Sequence, residues 1–186
     1  DRPYYRRSGG GLTLSGGESL CQPDFAGALL KAAKERGMNT AMESMACAKF
    51  EVIEEILPYL DHYLLDIKHM NPAKHKEFTG RANELMLENA GKIAHAGKCR
   101  LSIRIPVIPT FNDRAEEIRA IAEFVRTLPG VEKIHLLPYH RLGQDKYEGL
   151  SREYLMKEIL PPPAGKMQKL LETAKSASGL PCQIGG

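Results

Sequence analysis

The sequence predicts an α/β fold, with one parallel sheet whose strands alternate with helices in a single domain. Short apolar stretches rich in Leu, Ile and Val recur along the 186 residues, as expected of strands covered on both faces. Segments with helical spacing of apolar residues separate them. This alternation favours right-handed βα units in a sheet that is open or partly closed as a barrel.

Proline, glycine and asparagine mark the boundaries of these elements. Pro23 and Gly37 bound the first long helix, Pro58 ends the second, and Asn83 and Gly97 bound the third. The predicted strands are 11–15, 39–43, 63–68, 100–108 and 133–139. The predicted helices are 23–37, 48–60, 83–97 and 113–130, followed by a loop-like 140–150, a helix within 161–179 and a last edge strand within 180–186.

Composition limits the classes of function. The net charge of +3 is too small to indicate a nucleic acid partner, and the cluster Arg2, Arg6 and Arg7 is interpreted as a solvated arm. No apolar run approaches the roughly 18 residues of a membrane span, and no signal peptide opens the chain. We therefore expect a cytoplasmic protein that binds neither membrane nor nucleic acid.

The four cysteines are Cys21, Cys47, Cys99 and Cys182, and no two lie within metal-clip spacing. The spacing identifies no zinc or iron–sulfur site. We expect reduced thiols that pack as small buried apolar residues.

Five glycines surround a short apolar run in GGGLTLSGGES, residues 9–19. Glycine weakens a strand, so its use here indicates a backbone angle that other residues avoid, or a ligand lying against the main chain.

Each predicted strand carries polar groups at or near its carboxyl end, where parallel α/β sheets bind ligands. Each group has a structural alternative: Glu18 could cap the next helix, Asp66 could pair with Lys68, and Arg104 could pair with Glu43. Buried charges are costly unless they are paired or used, so together they predict a cleft for a ligand with an amine, a carboxylate and hydroxyls. The groups are Gly16, Gly17, Glu18, Glu43, Ser44, Asp66, Lys68, Arg104 and His140.

Four motifs give the chain a family resemblance. GGGLTLSGGES…QPDF, LLDIKHMNPAKHKEFTG, IRIPVIPTFND and LLPYHRLGQDKYEGL resemble, in this order, the glycyl-radical-enzyme activating enzymes (pyruvate formate-lyase activase-like) of the radical S-adenosylmethionine (radical SAM) superfamily. The resemblance runs from about Arg7 to the final CQIGG. It implies a partial (β/α) barrel of the radical SAM type, missing its first strand, with residues 1–186 as a core fragment.

The resemblance also implies cofactors and partners. In this family three thiolates of a CxxxCxxC loop hold a [4Fe–4S] cluster, which binds S-adenosyl-L-methionine. The resulting radical takes a hydrogen from a glycine of a partner glycyl radical enzyme, and a flavodoxin- or ferredoxin-type donor supplies the electron. These residues contain no CxxxCxxC, so we expect the cluster loop upstream of Asp1 and a fragment that is inactive alone.

By position, the resemblance assigns cofactor-binding roles to the strand ends. Residues 16–18 resemble the GGE motif, whose main chain accepts the methionyl amine. Lys68 and Arg104 resemble the cations that face the methionyl carboxylate. His140 resembles the histidine that contacts the nucleoside.

The resemblance further implies a monovalent cation site formed by Glu43, Ser44 and Asp66. Two departures fall near it, because Glu43 replaces the usual Asp and Met-Ala at 45–46 replaces Asn-Gly. Thr110 stands where a glycine usually follows IP.

Other functions stay open on the residues alone. Lys68 could form a Schiff base in a cluster-free barrel enzyme, with Asp66 as its proton shuttle. The chain could also be a non-catalytic domain that binds a nucleotide or a protein. If the chain is an activase, the sequence of its glycine-rich stretch resembles activators of the choline trimethylamine-lyase type more than those of the pyruvate formate-lyase type. In that case we also expect segment 143–150 to shape the mouth of the barrel.

Overall fold

The computed structural model describes residues 2–141, 147, 149–151, 153, 154 and 156–185. Its strands form one parallel sheet of six strands that follow one another in sequence order. They are β1 (Gly11–Leu14), β2 (Asn39–Ser44), β3 (His62–Asp66), β4 (Arg100–Val107), β5 (Val131–Pro138) and β6 (Cys182–Ile184). All carboxyl ends therefore meet at one edge of the sheet, the carboxyl edge.

Helices connect the strands as the alternating pattern predicts. Asn83 and Gly97 bound the third predicted helix, and Gly97 adopts the left-handed conformation (φ 57°) that glycine tolerates best. The α-helices are α1 (Arg2–Ser8), α2 (Pro23–Glu35), α3 (Phe50–Ile56), α4 (Pro72–Thr79), α5 (Glu84–Ala96), α6 (Ala115–Arg126) and α7 (Ala164–Ser178). Short 3-10 turns cover Ser19–Cys21 and Leu57–Tyr59.

The two faces of the sheet differ in chemistry. Alternate strand residues such as Met42, Leu65 and Ile103 are fully buried and join one apolar core with the helices. Because side chains alternate along a strand, the residues between them point to the opposite face. We call this second face, which carries Glu43, Asp66 and Arg104, the inner face.

The predicted α/β architecture is confirmed, including the edge strand β6. Helix α4 was not predicted, because His75 is its only buried residue and it shows no apolar stripe. The basic N-terminal segment, expected to be an arm, is helical. The segment 143–150 lies mostly outside the described residues.

The prediction that the cysteines are buried is wrong. Cys21 is exposed on its 3-10 turn, and Cys47, Cys99 and Cys182 are half-buried; all four are free thiols. Burial nevertheless raises the pKa of the Cys99 thiol to about 11, so this group stays protonated at neutral pH. Within the described ranges, no helix is both long and apolar enough to span a membrane.

Candidate functional site

A network of charged side chains joins neighbouring strands at the carboxyl edge. Arg104 lies between two carboxylates: its Nη1 is 2.5 Å from Glu43 Oε1, and its Nε donates to Asp66 Oδ1 at 2.8 Å. Lys68 Nζ donates to Asp66 Oδ2 at 3.1 Å. Ser15 Oγ donates to Glu43 Oε2 at 2.6 Å. The network thus runs from the end of β1 to β4 and balances two carboxylates against two cations.

Strand register builds this network. Asp66 is the register partner of Arg104, and Glu43 is the partner of Leu64, two residues before Asp66. Side chains two residues apart share a face, so Glu43, Asp66 and Arg104 all project from the inner face. Lys68, two residues past Asp66, extends the same row.

The charges of the network are largely withdrawn from solvent. The side chains of Asp66 and Arg104 are each 16% exposed and that of Glu43 is 28% exposed. Burial alone would lower the pKa of Arg104. The charge of Asp66, with hydrogen bonds to Asp66 and Glu43, outweighs burial and raises that pKa above its ordinary value. The guanidinium is therefore a fixed positive charge at the centre of the site.

Glu18 has a structural role, as the alternative interpretation of Glu18 as a helix cap predicted. Its carboxylate caps the 3-10 turn by accepting from Leu20 N at 3.1 Å. It also accepts from Ser44 Oγ at 2.6 Å and from Met45 N at 3.0 Å. These bonds fix the loop after β1 against the end of β2, and they also engage the hydroxyl of Ser44.

The glycines of the opening motif serve two different purposes. At Gly11 a Cβ would lie 1.8 Å from the backbone oxygen of Asn39, so this glycine permits the close pairing of β1 with β2. Gly16 has φ +128°, which favours glycine, and a Cβ added at Gly16 or Gly17 would meet no atom within 4 Å among the described residues. Both are exposed. Their backbone is therefore open to a ligand at the carboxyl edge.

His140 lies two residues past the end of β5 and is exposed. It is at the carboxyl edge, as predicted, in a position beyond the buried network that joins Lys68 and Arg104.

Asn112 is a positioning residue that the sequence pattern did not predict. It is fully buried; its amide donates to Lys68 O at 2.7 Å and to Pro106 O at 2.8 Å, and its Oδ1 accepts from Ile108 N at 2.7 Å. The side chain thus ties the backbone of Lys68 to the end of β4. A polar residue in the FND motif, next to apolar IPVIP, was the available signal.

The donor set fits one implied cofactor and not the other. The open backbone at Gly16 and Gly17 and the cations Lys68 and Arg104 lie at the same carboxyl edge, and they match the ammonium and carboxylate of an amino acid, as in S-adenosylmethionine. An iron–sulfur cluster needs several thiolates together. Among the described residues, no group of three or more His, Cys, Asp or Glu could hold a metal ion.

Comparison with known proteins identifies the family. A family model described as Radical SAM superfamily matches residues 4–125. The chain is 43% identical over 157 residues to the choline trimethylamine-lyase activating enzyme of Oleidesulfovibrio alaskensis, covering 83% of this chain and 50% of that protein. It is 39% identical over 169 residues to the pyruvate formate-lyase-activating enzyme of Clostridium pasteurianum, covering 91% and 70%.

A solved structure agrees as well. The crystal structure of a domain of pyruvate-formate lyase-activating enzyme from Bacteroides vulgatus superposes with a TM-score of 0.79 at 30% identity, covering 95% of this chain and 99% of that one. The chain spans about half the length of the Oleidesulfovibrio alaskensis relative. The chain belongs to the radical S-adenosylmethionine superfamily and, within it, to the family of glycyl-radical-enzyme activating enzymes.

Proposed function

We propose that this chain is the S-adenosylmethionine-binding core of an activase that generates a glycyl radical on a partner glycyl radical enzyme. The observation that carries the proposal is the network of Glu43, Asp66, Arg104 and Lys68, which gathers four charges at the same carboxyl edge as the open backbone of residues 16–17. Charges held by one another at a strand edge can exchange partners with a zwitterionic ligand at little net electrostatic cost.

Each residue of the edge has a role in holding the cofactor. Backbone carbonyls at Gly16 and Gly17 accept from the methionyl ammonium. Lys68 and Arg104 face the methionyl carboxylate, and Asn112 orients Lys68 through its backbone. His140 contacts the nucleoside. Glu18 acts indirectly, because it fixes the glycine loop against β2.

The [4Fe–4S] cluster, when bound, supplies the electron that cleaves the sulfonium of S-adenosylmethionine. We propose that thiolates outside residues 1–186 hold it, because the four cysteines of the described chain do not gather. On this proposal the chain alone is inactive. A cytoplasmic flavodoxin- or ferredoxin-type protein would be the electron donor to the longer protein.

A monovalent cation at Glu43, Ser44 and Asp66 is part of the proposal. In the structure Arg104 pairs with both carboxylates and Ser44 donates to Glu18. Cation binding therefore requires the Arg104 guanidinium to turn toward the ligand carboxylate, leaving carboxylate oxygens for the cation.

We propose a partner of the choline trimethylamine-lyase or pyruvate formate-lyase type. The two relatives named for the chain are activating enzymes for these two classes, at 43% and 39% identity. The sequence of the glycine-rich stretch favours the choline trimethylamine-lyase type.

Titration of the chain with S-adenosylmethionine, followed by calorimetry, tests the proposal. We expect weak binding, because the cluster would supply much of the binding free energy in the longer protein. Lys68→Met should weaken this binding about tenfold or more, the effect of one lost charged hydrogen bond. Lys34→Met is the matched control, since Lys34 also pairs with an aspartate (Asp61, 2.9 Å) but at the opposite edge.

Equal affinity in the two variants would contradict the assigned site. A longer coding sequence without CxxxCxxC upstream of Asp1 would contradict the activase itself. The Schiff-base alternative predicts a borohydride-trapped adduct on Lys68 with a carbonyl compound. We expect none, because Lys68 Nζ is engaged by the Asp66 carboxylate at 3.1 Å.

A further inference from the structure

His135 is a buried polar residue that the network at the carboxyl edge does not use. It lies in the middle of β5, is 5% exposed, and its neighbours Ile134 and Leu136 are fully buried in the apolar core. Because side chains alternate, His135 projects from the inner face. Its register partners are Arg104 on β4 and Gln183 on β6, so the three residues form a row across that face.

The hydrogen bonding of His135 leaves one acceptor unused. Its Nδ1 lies 2.8 Å from Gly185 O, and a carbonyl oxygen only accepts, so Nδ1 carries the proton. In the neutral ring Nε2 is then an acceptor. This nitrogen is buried and has no hydrogen-bond partner among the described residues. Buried polar atoms are normally paired, so an unpaired one indicates a missing donor.

Arg104 supplies the complementary chemistry one strand away. Its Nε and Nη1 donate to Asp66 and Glu43, and the guanidinium carries further N–H groups. The unpaired acceptor on His135 and the N–H donors of Arg104 are complementary to the N–H and the C=O of peptide groups. A glycine has no side chain to be recognised, so a protein that selects one must read its backbone.

We propose that Arg104 and His135 form a peptide subsite on the inner face, in which His135 Nε2 accepts a hydrogen bond from a backbone N–H of the polypeptide loop that carries the target glycine. This inference deepens the proposed function and rests on it for the source of the peptide. His135 is a positioning residue here, because it holds the loop and takes no part in bond cleavage.

The probe is a blocked triglycine, N-acetyl-Gly-Gly-Gly-amide, added to the chain labelled with ¹⁵N in its histidines. The imidazole ¹⁵N spectrum reports whether Nε2 of each histidine accepts a hydrogen bond. We expect the His135 Nε2 resonance to move upfield on titration. The matched probe is N-acetyl-trisarcosine dimethylamide, whose carbonyls remain but whose N–H groups are replaced by N–CH₃, and it should leave this resonance unchanged.

A variant provides a second readout. His135→Phe keeps the ring and removes the acceptor, so triglycine affinity should fall at least tenfold, while His135→Gln, which retains an acceptor, should recover part of it. Affinity for S-adenosylmethionine should stay unchanged in both.

No shift with either peptide, or equal shifts with both, overturns the subsite; the unpaired nitrogen is then satisfied by an enclosed water. Failure of the proposed function has a different signature, since S-adenosylmethionine would not bind the parent chain while the triglycine response could persist.

Discussion

Asp61 precedes β3 and Asp66 is its last residue, but their carboxylates bind different kinds of partner. Asp61, at the amino edge of the sheet, accepts from Thr40 N at 2.9 Å, from Thr40 Oγ1 at 3.1 Å and from Lys34 Nζ at 2.9 Å. Asp66, at the carboxyl edge, accepts only side-chain donors in the described part, from Arg104 and Lys68. One carboxylate anchors backbone, and the other belongs to a set of charges held by side chains alone.

This difference indicates which edge can bind a ligand. A backbone N–H cannot leave its partner without disturbing the sheet, whereas a side-chain cation can turn to a new anion. A cavity of about 680 Å³ lies at the amino edge and is lined by Asp61, Cys99 and Arg100. The cavity beside Ser15, Gly17 and Phe25 is only about 210 Å³. The side-chain ion pairs, more than the cavity volume, favour the carboxyl edge as the proposed binding site.

The largest effect is expected from Arg104→Met, which leaves Glu43 and Asp66 facing each other without their shared cation. Breaking a buried ion pair from one side costs about 3 kcal/mol in the free energy of unfolding. Urea unfolding measures it. Combining the change with Glu43→Gln should recover most of the loss, since Asp66 keeps its bond to Lys68 and no carboxylate then lacks a cation. A single variant as stable as the parent would show that the network is not electrostatically coupled.

Asp61→Ala should cost less but should act on the fold alone. Removing the acceptor leaves the buried Thr40 N–H unpaired, and we expect a loss of about 2 kcal/mol. Affinity for S-adenosylmethionine should not change. A matching loss of affinity would mean that the two edges are coupled, and the contrast between Asp61 and Asp66 would fail.

The sequence predicted the charges of the carboxyl edge and part of their connections. The Asp66–Lys68 and Glu43–Arg104 pairs and the Glu18 cap are confirmed, because period-two spacing and strand ends suffice to predict them. The bond between Arg104 and Asp66 depends on the register of β3 against β4, which a long crossover leaves undetermined. His135 was missed for the same reason, since a histidine inside an apolar strand shows its face only once neighbours are in register.

Two departures from the family pattern became interpretable only from backbone angles. Ala46 (φ 57°) and Thr110 (φ 72°) both occupy the left-handed region, where the family's glycines belong. Asn89 supports the first by donating to Ala46 O at 2.8 Å. The second follows β4 in an exposed loop, with Thr110 N donating to Asp113.

Thr110→Gly should therefore stabilise the chain, by about 1 kcal/mol, because a β-branched residue is strained at positive φ. Ala46→Gly is the matched comparison. Ala46 is fully buried, so its lost methyl contact and the added freedom of the unfolded chain should offset the relief of strain. Thermal unfolding of the two variants checks this. Destabilisation by Thr110→Gly would mean that the loop after β4 is not strained.

The smallest effect concerns pH and again compares the two ends of β3. His62 begins the strand and His69 follows its carboxyl end. Burial lowers the pKa of both imidazoles; Arg100 adds to this at His62, whereas Glu117, 3.6 Å away, opposes it at His69. The unfolded chain then binds protons more readily than the folded one.

Stability from these neutral histidines is fully present above the ordinary pKa of 6.5 and is lost as pH falls below it. The free energy of unfolding should therefore be lower at about pH 5.5 than at about pH 7.5. His62→Gln should remove more of this dependence than His69→Gln, because the charges of Arg100 and Lys133 oppose that of Glu132 at His62, whereas Glu117 lies 3.6 Å from His69. If the free energy of unfolding depends equally on pH in both variants, the charge of Glu117 does not affect the pKa of His69.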